Sequence, residues 1–318
     1  MDLIFYDFDL TPCLVVRKYV SLNITLKYRE YGTFEAHFPP NNAELITLLK
    51  DNRYLICGFG DITAIVTSWQ IEDDIAVFAK TPEWLMTKRG LAPLNRTAEL
   101  PEATARYAVS AAMSDFVTLG SAVNKGTAQA FSTSGAKTVY DIVTSALTGT
   151  NLGFRLCADI KAKKFVFSVY GGAEKTVMLS QSNKTAYDMT YTNEIQDMAT
   201  GGVWFEKKTT DKDGNETTEW AQTAAGTETG AKRWEAVLSG TKTADEAQKE
   251  ADAKAAKESI SCLVRCLEYG KDYALGDTLR VQFEKHGFKR TLKNTVTGVE
   301  ISCDLTGQET RPILESEE

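Results

Sequence analysis

The chain has 318 residues, of which 43% are apolar and 25% are charged, a balance typical of globular proteins long enough for two or three hydrophobic cores. Its formal net charge of −7 argues against a general nucleic-acid binder, because such a protein needs a basic surface to displace counterions from phosphates.

No apolar run reaches the ~18 residues of a membrane-spanning helix, so we expect no membrane span. The first residues, Met1 to Leu3, lack the basic start of a secretory signal, so we expect synthesis and folding in a cytosol.

Residues 1–95 are predicted to form a first β-rich lobe. Its clearest signal is a hairpin in which apolar and polar residues alternate, because a period of two places one sheet face on a core and the other in water. Pro39-Pro40 then ends the hairpin, since proline cannot donate to a strand ladder. A short helix capped by Asn41 or Asn42, further strands, and a helix starting at Thr81 complete the lobe. The apolar positions of the hairpin are Leu22, Ile24, Leu26, Phe34, Ala36 and Phe38, with Gly32 in the turn.

Residues 96–179 are predicted to form a small α/β module. One helix is expected from Pro101 to about Val117, because apolar residues recur there at helical spacing. A second helix is expected to begin after Thr138, which stands three residues before Asp141 as a capping residue does before an acidic first turn. A hairpin with its turn at residues 159–163 follows this helix.

Residues 180–318 return to β character and are predicted to form a second lobe. A tight turn at Ala274-Leu-Gly-Asp277 precedes an alternating strand that contains Val281. The stretch from about 206 to 259 has few apolar residues besides alanine and is predicted to be a polar insertion. Within it, Asp211-Lys-Asp-Gly-Asn215 predicts a hairpin turn, and Thr243-Ala-Asp-Glu246 predicts a capping box that opens a helix reaching about Lys257. The apolar stripe of this helix is only alanine, so the helix is expected either to pack closely or to be largely solvated; the stripe consists of Ala244, Ala247, Ala251 and Ala255.

No catalytic, cofactor-binding or metal-binding residue is predicted. His37, on the polar side of its strand, and His286, in a hairpin turn, are the only histidines, and no local spacing around either of them suggests the geometry of a catalytic dyad or a zinc site. The Asp211 turn is similar to the first half of a calcium loop. However, Glu216 stands where that loop needs glycine, and Gln222 stands where it needs a bidentate glutamate.

The six cysteines are scattered without C-x-x-C spacing. Most have apolar neighbours, which favours buried free thiols in a reducing compartment. Cys262 and Cys266 are predicted to lie in one strand as two core residues. The six are Cys13, Cys57, Cys157, Cys262, Cys266 and Cys303.

Several passages resemble the siphophage tail-tip or baseplate hub family, and the resemblance covers nearly the whole chain. This family is related in fold to the trimeric baseplate hub of contractile-tailed phages and to the N-terminal domain of tail-associated lysin proteins. The similarity rests on the order and spacing of the passages. They are Tyr28-Arg-Glu-Tyr-Gly-Thr-Phe-Glu35, Ala79-Lys-Thr-Pro-Glu-Trp-Leu85, Tyr187-Asp-Met-Thr-Tyr-Thr-Asn193 and Tyr273-Ala-Leu-Gly-Asp-Thr-Leu-Arg-Val281.

The resemblance implies an α+β, mainly β fold, in which two tube-like β-barrel lobes (1–95 and 180–318) flank a small α/β middle module (96–179). It implies a structural subunit of a phage or prophage-derived tail tip in the virion, not an enzyme, and no cofactor. Three copies would form a pseudo-sixfold hub that closes or continues the tail tube, with DNA passing through its lumen and no specific nucleic-acid binding. The implied partners are the distal tail ring protein, the tape measure protein, and tail fibre or receptor-binding proteins.

Two other functions stay open from the residues alone. A tail-associated cell-wall hydrolase would need two carboxylates about 5–10 Å apart in space, and the order of residues does not decide whether any pair meets that requirement. A secreted carbohydrate-binding β module would suit the β content. Such a protein would require a secretory signal, and Met1 to Leu3 lack the basic start of one.

Overall fold

A computed structural model describes residues 2–223, 226, 228–254, 256–304 and 307–316. β-Strands predominate in this part of the chain, and the expected α+β, mainly β class is confirmed. No helix among the described residues is long and apolar enough to cross a membrane. The helices are α1 (Ala43–Asp51), α2 (Pro101–Met113), α3 (Val139–Leu147) and α4 (Ala244–Asp252), with 3-10 helices at Pro82–Lys88 and Gly230–Lys232. The strands are β1 (Leu3–Tyr6), β2 (Pro12–Val16), β3 (Ser21–Lys27), β4 (Thr33–Phe38), β5 (Ile56–Phe59), β6 (Ile62–Ile71), β7 (Ile75–Lys80), β8 (Gly90–Leu91), β9 (Asn95–Glu99), β10 (Val117–Leu119), β11 (Gln129–Ser132), β12 (Lys137–Thr138), β13 (Leu152–Asp159), β14 (Lys164–Gly171), β15 (Glu174–Ser180), β16 (Ala186–Glu194), β17 (Val203–Thr210), β18 (Glu216–Thr223), β19 (Ala236–Thr241), β20 (Lys257–Val264), β21 (Thr278–Lys285), β22 (Phe288–Asp304) and β23 (Gly307–Ser316).

The chain divides into two compact units, residues 1–189 with 262–317, and residues 190–261. The first unit contains an 11-stranded sheet whose strands follow the order β15-β21-β22-β3-β4-β7-β6-β5-β1-β2, with β23 also paired to β22. The two ends of this order are different strands that do not pair with each other. The described residues therefore form an open sheet and no closed barrel.

Strand β22 joins the two ends of the chain. Its residues 288–295 pair with β21, and its residues 298–304 pair with β3. Strand β23 pairs with residues 294–304 of β22. This range includes some residues that also pair with β21 and others that also pair with β3. Because a strand has only two edges, β21 and β3 must follow one another along one edge of β22 while β23 occupies the other.

The hairpin of β3 and β4 has the alternation that the sequence predicts. Leu22, Ile24 and Phe34 are buried, and the intervening residues are exposed or half-buried. Asn42 caps α1, because its side chain accepts a hydrogen bond from the Leu45 backbone N–H at 3.1 Å. The helix expected at Thr81 is present as a 3-10 helix with proline in its first turn.

Helices α2 and α3 cover strands β10, β14 and β13, and together they enclose a hydrophobic core. Thr138 caps α3 as predicted, since its hydroxyl accepts from the Asp141 N–H at 3.1 Å. Helix α2 ends at Met113, short of the predicted Val117. The reason is that Val117 starts β10, which pairs in parallel with Phe165 of β14. The largest fully buried side chains of this core are Phe154 and Phe167.

The second unit, residues 190–261, contains a three-stranded sheet in the order β18-β17-β19. Val203 and Phe205 pack on Ala247 and Ala251 of α4, so these two alanines of the predicted stripe are buried, whereas Ala244 is exposed. The predicted capping box at Thr243 is present. Helix α4 ends at Asp252, before the predicted Lys257, because Lys257 begins β20. Ala255, which the sequence also assigns to the stripe, lies outside the described residues.

Candidate functional site

Tyr28 and Arg29 hold the start of β13 against the end of β3. The Tyr28 hydroxyl donates to the Asn151 carbonyl at 2.7 Å, and the Arg29 Nε–H donates to the Leu152 carbonyl at 3.0 Å. A second guanidinium nitrogen of Arg29 donates to the Thr150 carbonyl. Two neighbouring side chains thus occupy three consecutive carbonyls. This arrangement fixes residues 150–152, which belong to the predicted middle module, to the first predicted lobe.

The Tyr28 ring lies between two glycines. A Cβ atom on Gly153 would lie 2.2 Å from the ring, and one on Gly276 would lie 2.3 Å from it. Tyr28 is only 5% exposed, and its backbone N–H donates to the Thr297 carbonyl of β22 at 2.9 Å. Burial raises the pKa of the Tyr28 hydroxyl, so it stays protonated as a hydrogen-bond donor. Segments from all three predicted parts of the chain therefore meet at this ring.

Asp277 anchors the predicted turn at residues 274–277 to the same junction. Its Oδ2 accepts from the Ala274 N–H at 2.8 Å, which closes the turn, and Oδ1 accepts from the Ala173 N–H at 2.8 Å. The Lys175 ammonium lies 3.3 Å from Oδ2. Asp277 is 4% exposed, and these contacts compensate the cost of burying its carboxylate.

Glu83 is a buried acid in the 3-10 helix. Its Oε1 accepts from the Leu156 N–H of β13 at 2.9 Å, whereas Oε2 accepts no hydrogen bond from the described residues. Burial raises the pKa of Glu83, and the nearby Arg155 guanidinium opposes that effect only weakly. A cavity of about 20 Å³ lined by Glu83, Arg155 and Tyr170 adjoins this carboxyl group. That volume is enough for one water molecule and is far below the ~300 Å³ of a small-molecule site.

His37 lies on the polar side of β4, as the sequence predicts, and is held between two carboxylates. Its Nδ1 is 2.7 Å from Asp74 Oδ2, and its Nε2 is 2.8 Å from Glu35 Oε1. The hydrogen bond to Glu35, followed by that to Asp74, raises the pKa of His37. An imidazolium can donate to both carboxylates at once, whereas neutral imidazole has a single N–H. Three residues that the sequence treats separately thus form a pH-sensitive cluster.

Replacing His37 by glutamine should destabilise the protein more at about pH 6 than at about pH 9, given a reference histidine pKa of ~6.5. The pKa of His37 is higher in the folded chain than in the unfolded chain. The stabilisation that protonated His37 provides is therefore complete below its unfolded pKa, and it is lost as the pH rises through its folded pKa. Glu35 and Asp74 are partly exposed, so screening limits the difference to about 0.5–1 kcal/mol. Thermal unfolding across this pH range measures it.

The control for this experiment is His37→Gln made in a chain that also carries Glu35→Gln and Asp74→Asn, since neither carboxylate then faces residue 37. In that background the cost of His37→Gln should be nearly independent of pH. An effect of His37→Gln that stays constant from pH ~6 to ~9 would show that the imidazolium contributes nothing through its charge.

The remaining candidates lie apart from these clusters. The Asp211 turn is a hairpin tip between β17 and β18, in which Asp211 Oδ1 accepts from the N–H groups of Asp213 and Asn215. Among the described residues, no group of three or more His, Cys, Asp or Glu side chains is arranged to hold a metal ion. The prediction that no catalytic, metal or cofactor residue exists stays a prediction.

The cysteines are not all buried, contrary to expectation. Cys57 and Cys303 are buried, but Cys13 and Cys266 are exposed. Cys266 lies beyond the end of β20 with φ of 62°, so it is not a core residue of that strand. Burial raises the pKa of the Cys262 thiol to about 11, which makes this thiol unreactive at neutral pH.

Sequence reasoning did not single out Glu83 or the pair Tyr28 and Arg29 as parts of a site. Glu83 follows Thr81-Pro82, so its acidic side chain fits an exposed first turn of a helix equally well. The burial of these side chains depends on β13, which is more than 60 residues away in the sequence. The closest signal is that both stretches belong to passages that resemble the hub family.

Three solved structures share this fold over nearly the whole chain. A tail protein from Neisseria meningitidis MC58 superposes with a TM-score of 0.62 at 13% identity, covering 100% of this chain and 96% of that one. A 43 kDa tail protein of prophage MuSo2 from Shewanella oneidensis gives 0.59 at 12% identity, covering 99% and 98%. An Escherichia coli component of the type VI secretion system, described as similar to T4 bacteriophage tail proteins, gives 0.50 at 12% identity, covering 95% and 74%.

No protein-family model matches the chain, and no curated protein sequence matches it at a significant level. The likeness is therefore one of architecture, retained while about seven of every eight aligned residues differ. It extends from the first strands to the last and leaves little of either tail protein uncovered. The resemblance seen in the sequence is confirmed at the level of fold: this chain has the fold of phage and prophage tail proteins.

Proposed function

We propose that this protein is a structural subunit of a phage or prophage-derived tail. In this proposal three copies form a pseudo-sixfold baseplate hub that closes or continues the tail tube at the tail tip. The observation that carries the proposal is the full-length fold shared with two tail proteins, each of which is itself covered almost completely. A structural role also suits a molecule whose polar clusters at Tyr28, Asp277 and Glu83 join distant segments.

The geometric basis of the proposal is that the two ends of the chain act as two lobes, residues 1–95 and 180–318, with residues 96–179 as a module between them. Strand pairing between β3 and β22 supports it, because it couples the two ends in one sheet. The sheet order ends at β2 and β15, and exposed sheet edges are commonly covered by neighbouring subunits. Two similar lobes in each of three chains would then match a sixfold tube.

The proposed partners are the distal tail ring protein, the tape measure protein, and tail fibre or receptor-binding proteins, at the tail tip of the virion. DNA would cross the lumen without specific binding during ejection into an attached host cell. The net charge of −7 supports transit without retention, because an acidic wall repels phosphate. We propose no enzymatic activity, since the buried acid Glu83 adjoins space for one water molecule rather than for a cell-wall substrate.

The test is to delete the gene in the producing bacterium, induce particles, and examine them by electron microscopy with antibody labelling of the restored protein. We expect particles without finished tails after deletion, and label confined to the tail tip when a wild-type copy is supplied. The purified chain of 35.1 kDa should have the mass of a trimer by light scattering. Normal infectious tails without the protein would contradict the proposal, and release of peptidoglycan fragments by the pure chain would support the hydrolase alternative.

A further inference from the structure

The three-stranded sheet in residues 190–261 has one face packed on α4 and a second face on the other side of the strands. Side chains alternate along a strand, and directly paired residues share a face. The residues that alternate with buried Val203 and Phe205, together with their cross-strand partners, therefore lie on the second face. We call it the tryptophan face, and it consists of Trp204, Glu206, Trp220, Gln222 and Val237.

The tryptophan face exposes large apolar side chains around one carboxylate. Val237 is 72% exposed, Trp220 is 58% exposed and Trp204 is 36% exposed. Glu206 pairs directly with Trp220 and follows Trp204 by two residues along β17, so it is a neighbour of both tryptophans on this face. A cluster of exposed apolar side chains on a folded protein commonly marks a site of interaction.

The ring of Trp204 is held at one edge. Its Nε1–H donates to Glu235 Oε2 at 2.7 Å, and Glu235 Oε1 accepts from Arg233 Nε at 2.7 Å. The hydrogen bond from Trp204, followed by that from Arg233, lowers the pKa of Glu235, so its carboxylate is ionised at neutral pH and compensates Arg233. Because an indole N–H bond lies in the plane of the ring, this contact positions Trp204 without using its π faces.

Other aromatic rings of this chain have one of the chain's own cations over them. Lys88 Nζ lies 4.4 Å from the centre of the Trp84 ring, and the Arg96 guanidinium lies 4.2 Å from that of Tyr107. Within the described residues, no cation is placed in this way over Trp204 or Trp220, and Glu206 forms no ion pair. Tryptophan attracts cations more strongly than the other aromatic side chains, and a neighbouring carboxylate adds to that attraction.

The charge of the whole unit favours the same kind of ligand. Residues 190–261 contain 14 acidic and nine basic residues, so they contribute a net charge of −5 to the −7 of the chain. A field of this sign attracts a basic partner and raises its rate of association. A neutral sugar would also stack on tryptophan, but it would gain nothing from this charge.

We propose that the tryptophan face binds a basic segment of a partner protein. An arginine or lysine side chain of that segment would lie against Trp204 and Trp220 and would form an ion pair with Glu206. Arginine suits the site best, because its planar guanidinium stacks on an aromatic ring while it bonds to a carboxylate. This binding site goes beyond the hub proposal and does not depend on it, since residues 190–261 contain all of its parts.

The test is titration calorimetry of the full chain with a synthetic peptide of arginine-glycine repeats. The matched peptide replaces each arginine by citrulline, which has a similar shape but no charge. We expect the arginine peptide to bind with a Kd on the order of 100 μM and the citrulline peptide to bind at least about tenfold more weakly. Trp220→Ala and Glu206→Gln should each weaken binding of the arginine peptide by about tenfold. Both side chains lie on the exposed face, so circular dichroism should show that both variants fold.

The control variant is Glu219→Gln, which removes the same charge from a neighbouring position of β18 on the opposite face of the sheet. It should change the Kd by less than about twofold. Equal effects of Glu206→Gln and Glu219→Gln, or equal binding of the two peptides, would overturn the proposal.

A second control is Trp69→Ala, which removes a tryptophan of 40% exposure from the other unit and should leave peptide binding unchanged. Absence of peptide binding at about 1 mM would overturn the proposal. If a neutral chitin oligosaccharide bound instead and Trp220→Ala abolished that binding, the rings would belong to a sugar site. Particle labelling tests the hub proposal separately, so the two failures can be told apart.

Discussion

Replacing Tyr28 by alanine should lower the free energy of unfolding by about 3–5 kcal/mol, the range for removing a large buried aromatic ring. The ring fills the space between Gly153 and Gly276, and glycines cannot extend side chains into the cavity that would remain. The hydrogen bond to the Asn151 carbonyl would be lost as well. Denaturant unfolding followed by circular dichroism measures the global change, and hydrogen exchange of the β13 amides measures the local one.

Tyr28→Phe is the matched control for that experiment. It keeps the ring between the glycines and removes only the hydroxyl that donates to Asn151, so the expected cost is about 1 kcal/mol. If Tyr28→Phe and Tyr28→Ala cost the same, the hydrogen bond would be the main contribution of this residue, and packing at the junction would contribute little. If neither changed the exchange of β13 amides, Tyr28 would not hold β13 in place.

Replacing Gly172 by alanine should cost about 3 kcal/mol, at the upper end of the usual range for overpacking. A Cβ atom at this position would lie 1.7 Å from the carbonyl oxygen of Gly276 and 2.6 Å from the backbone nitrogen of Asp277. Both neighbours are backbone atoms, so no side-chain rotation can relieve the clash. The turn that Asp277 closes would have to move. Thermal unfolding should show the loss as a large decrease in Tm.

The neighbouring Gly171 provides a control of the same chemistry. A Cβ atom there would lie 3.4 Å from the Asn151 carbonyl oxygen and 3.5 Å from a Leu152 methyl carbon, which is ordinary contact. Gly171→Ala should therefore change stability by less than about 1 kcal/mol, partly because alanine restricts the unfolded chain. Similar losses for the two variants would show that the close approach at Gly172 does not constrain the fold.

Helix caps, strand alternation and hairpin turns depend on residues that are close in sequence, and these features were predicted correctly. Asn42, Thr138 and Thr243 cap helices because each side chain accepts a hydrogen bond from the backbone N–H three residues ahead, and nothing outside the helix is needed. The alternation in β3 and the Asp211 turn belong to the same class. Helix ends were less accurate. Met113 ends α2 because a nearby strand needs Val117, and that requirement comes from tertiary pairing.

The side-chain clusters of the candidate site could not be predicted in this way, because their members are distant in sequence. Glu83 bonds to Leu156, 73 residues away, and Tyr28 bonds to Asn151, 123 residues away. His37 was assigned correctly to the polar side of its strand, but the sequence did not show that Asp74 returns to meet it. The exposed cysteines have the same explanation, since apolar neighbours in sequence do not show whether the thiol of Cys13 or Cys266 faces a core.

The sequence by itself determined that this chain is mainly β, where most strands, turns and helix caps lie, and which family of folds it resembles. Periodicity and capping encode these features, because they depend on residues within one or two turns of each other. Only the tertiary structure decided that β3 pairs with β22, that three segments meet at Tyr28, and that Asp74 reaches His37. These features require distant segments to come together, and their partners are selected by packing and burial over the whole unit.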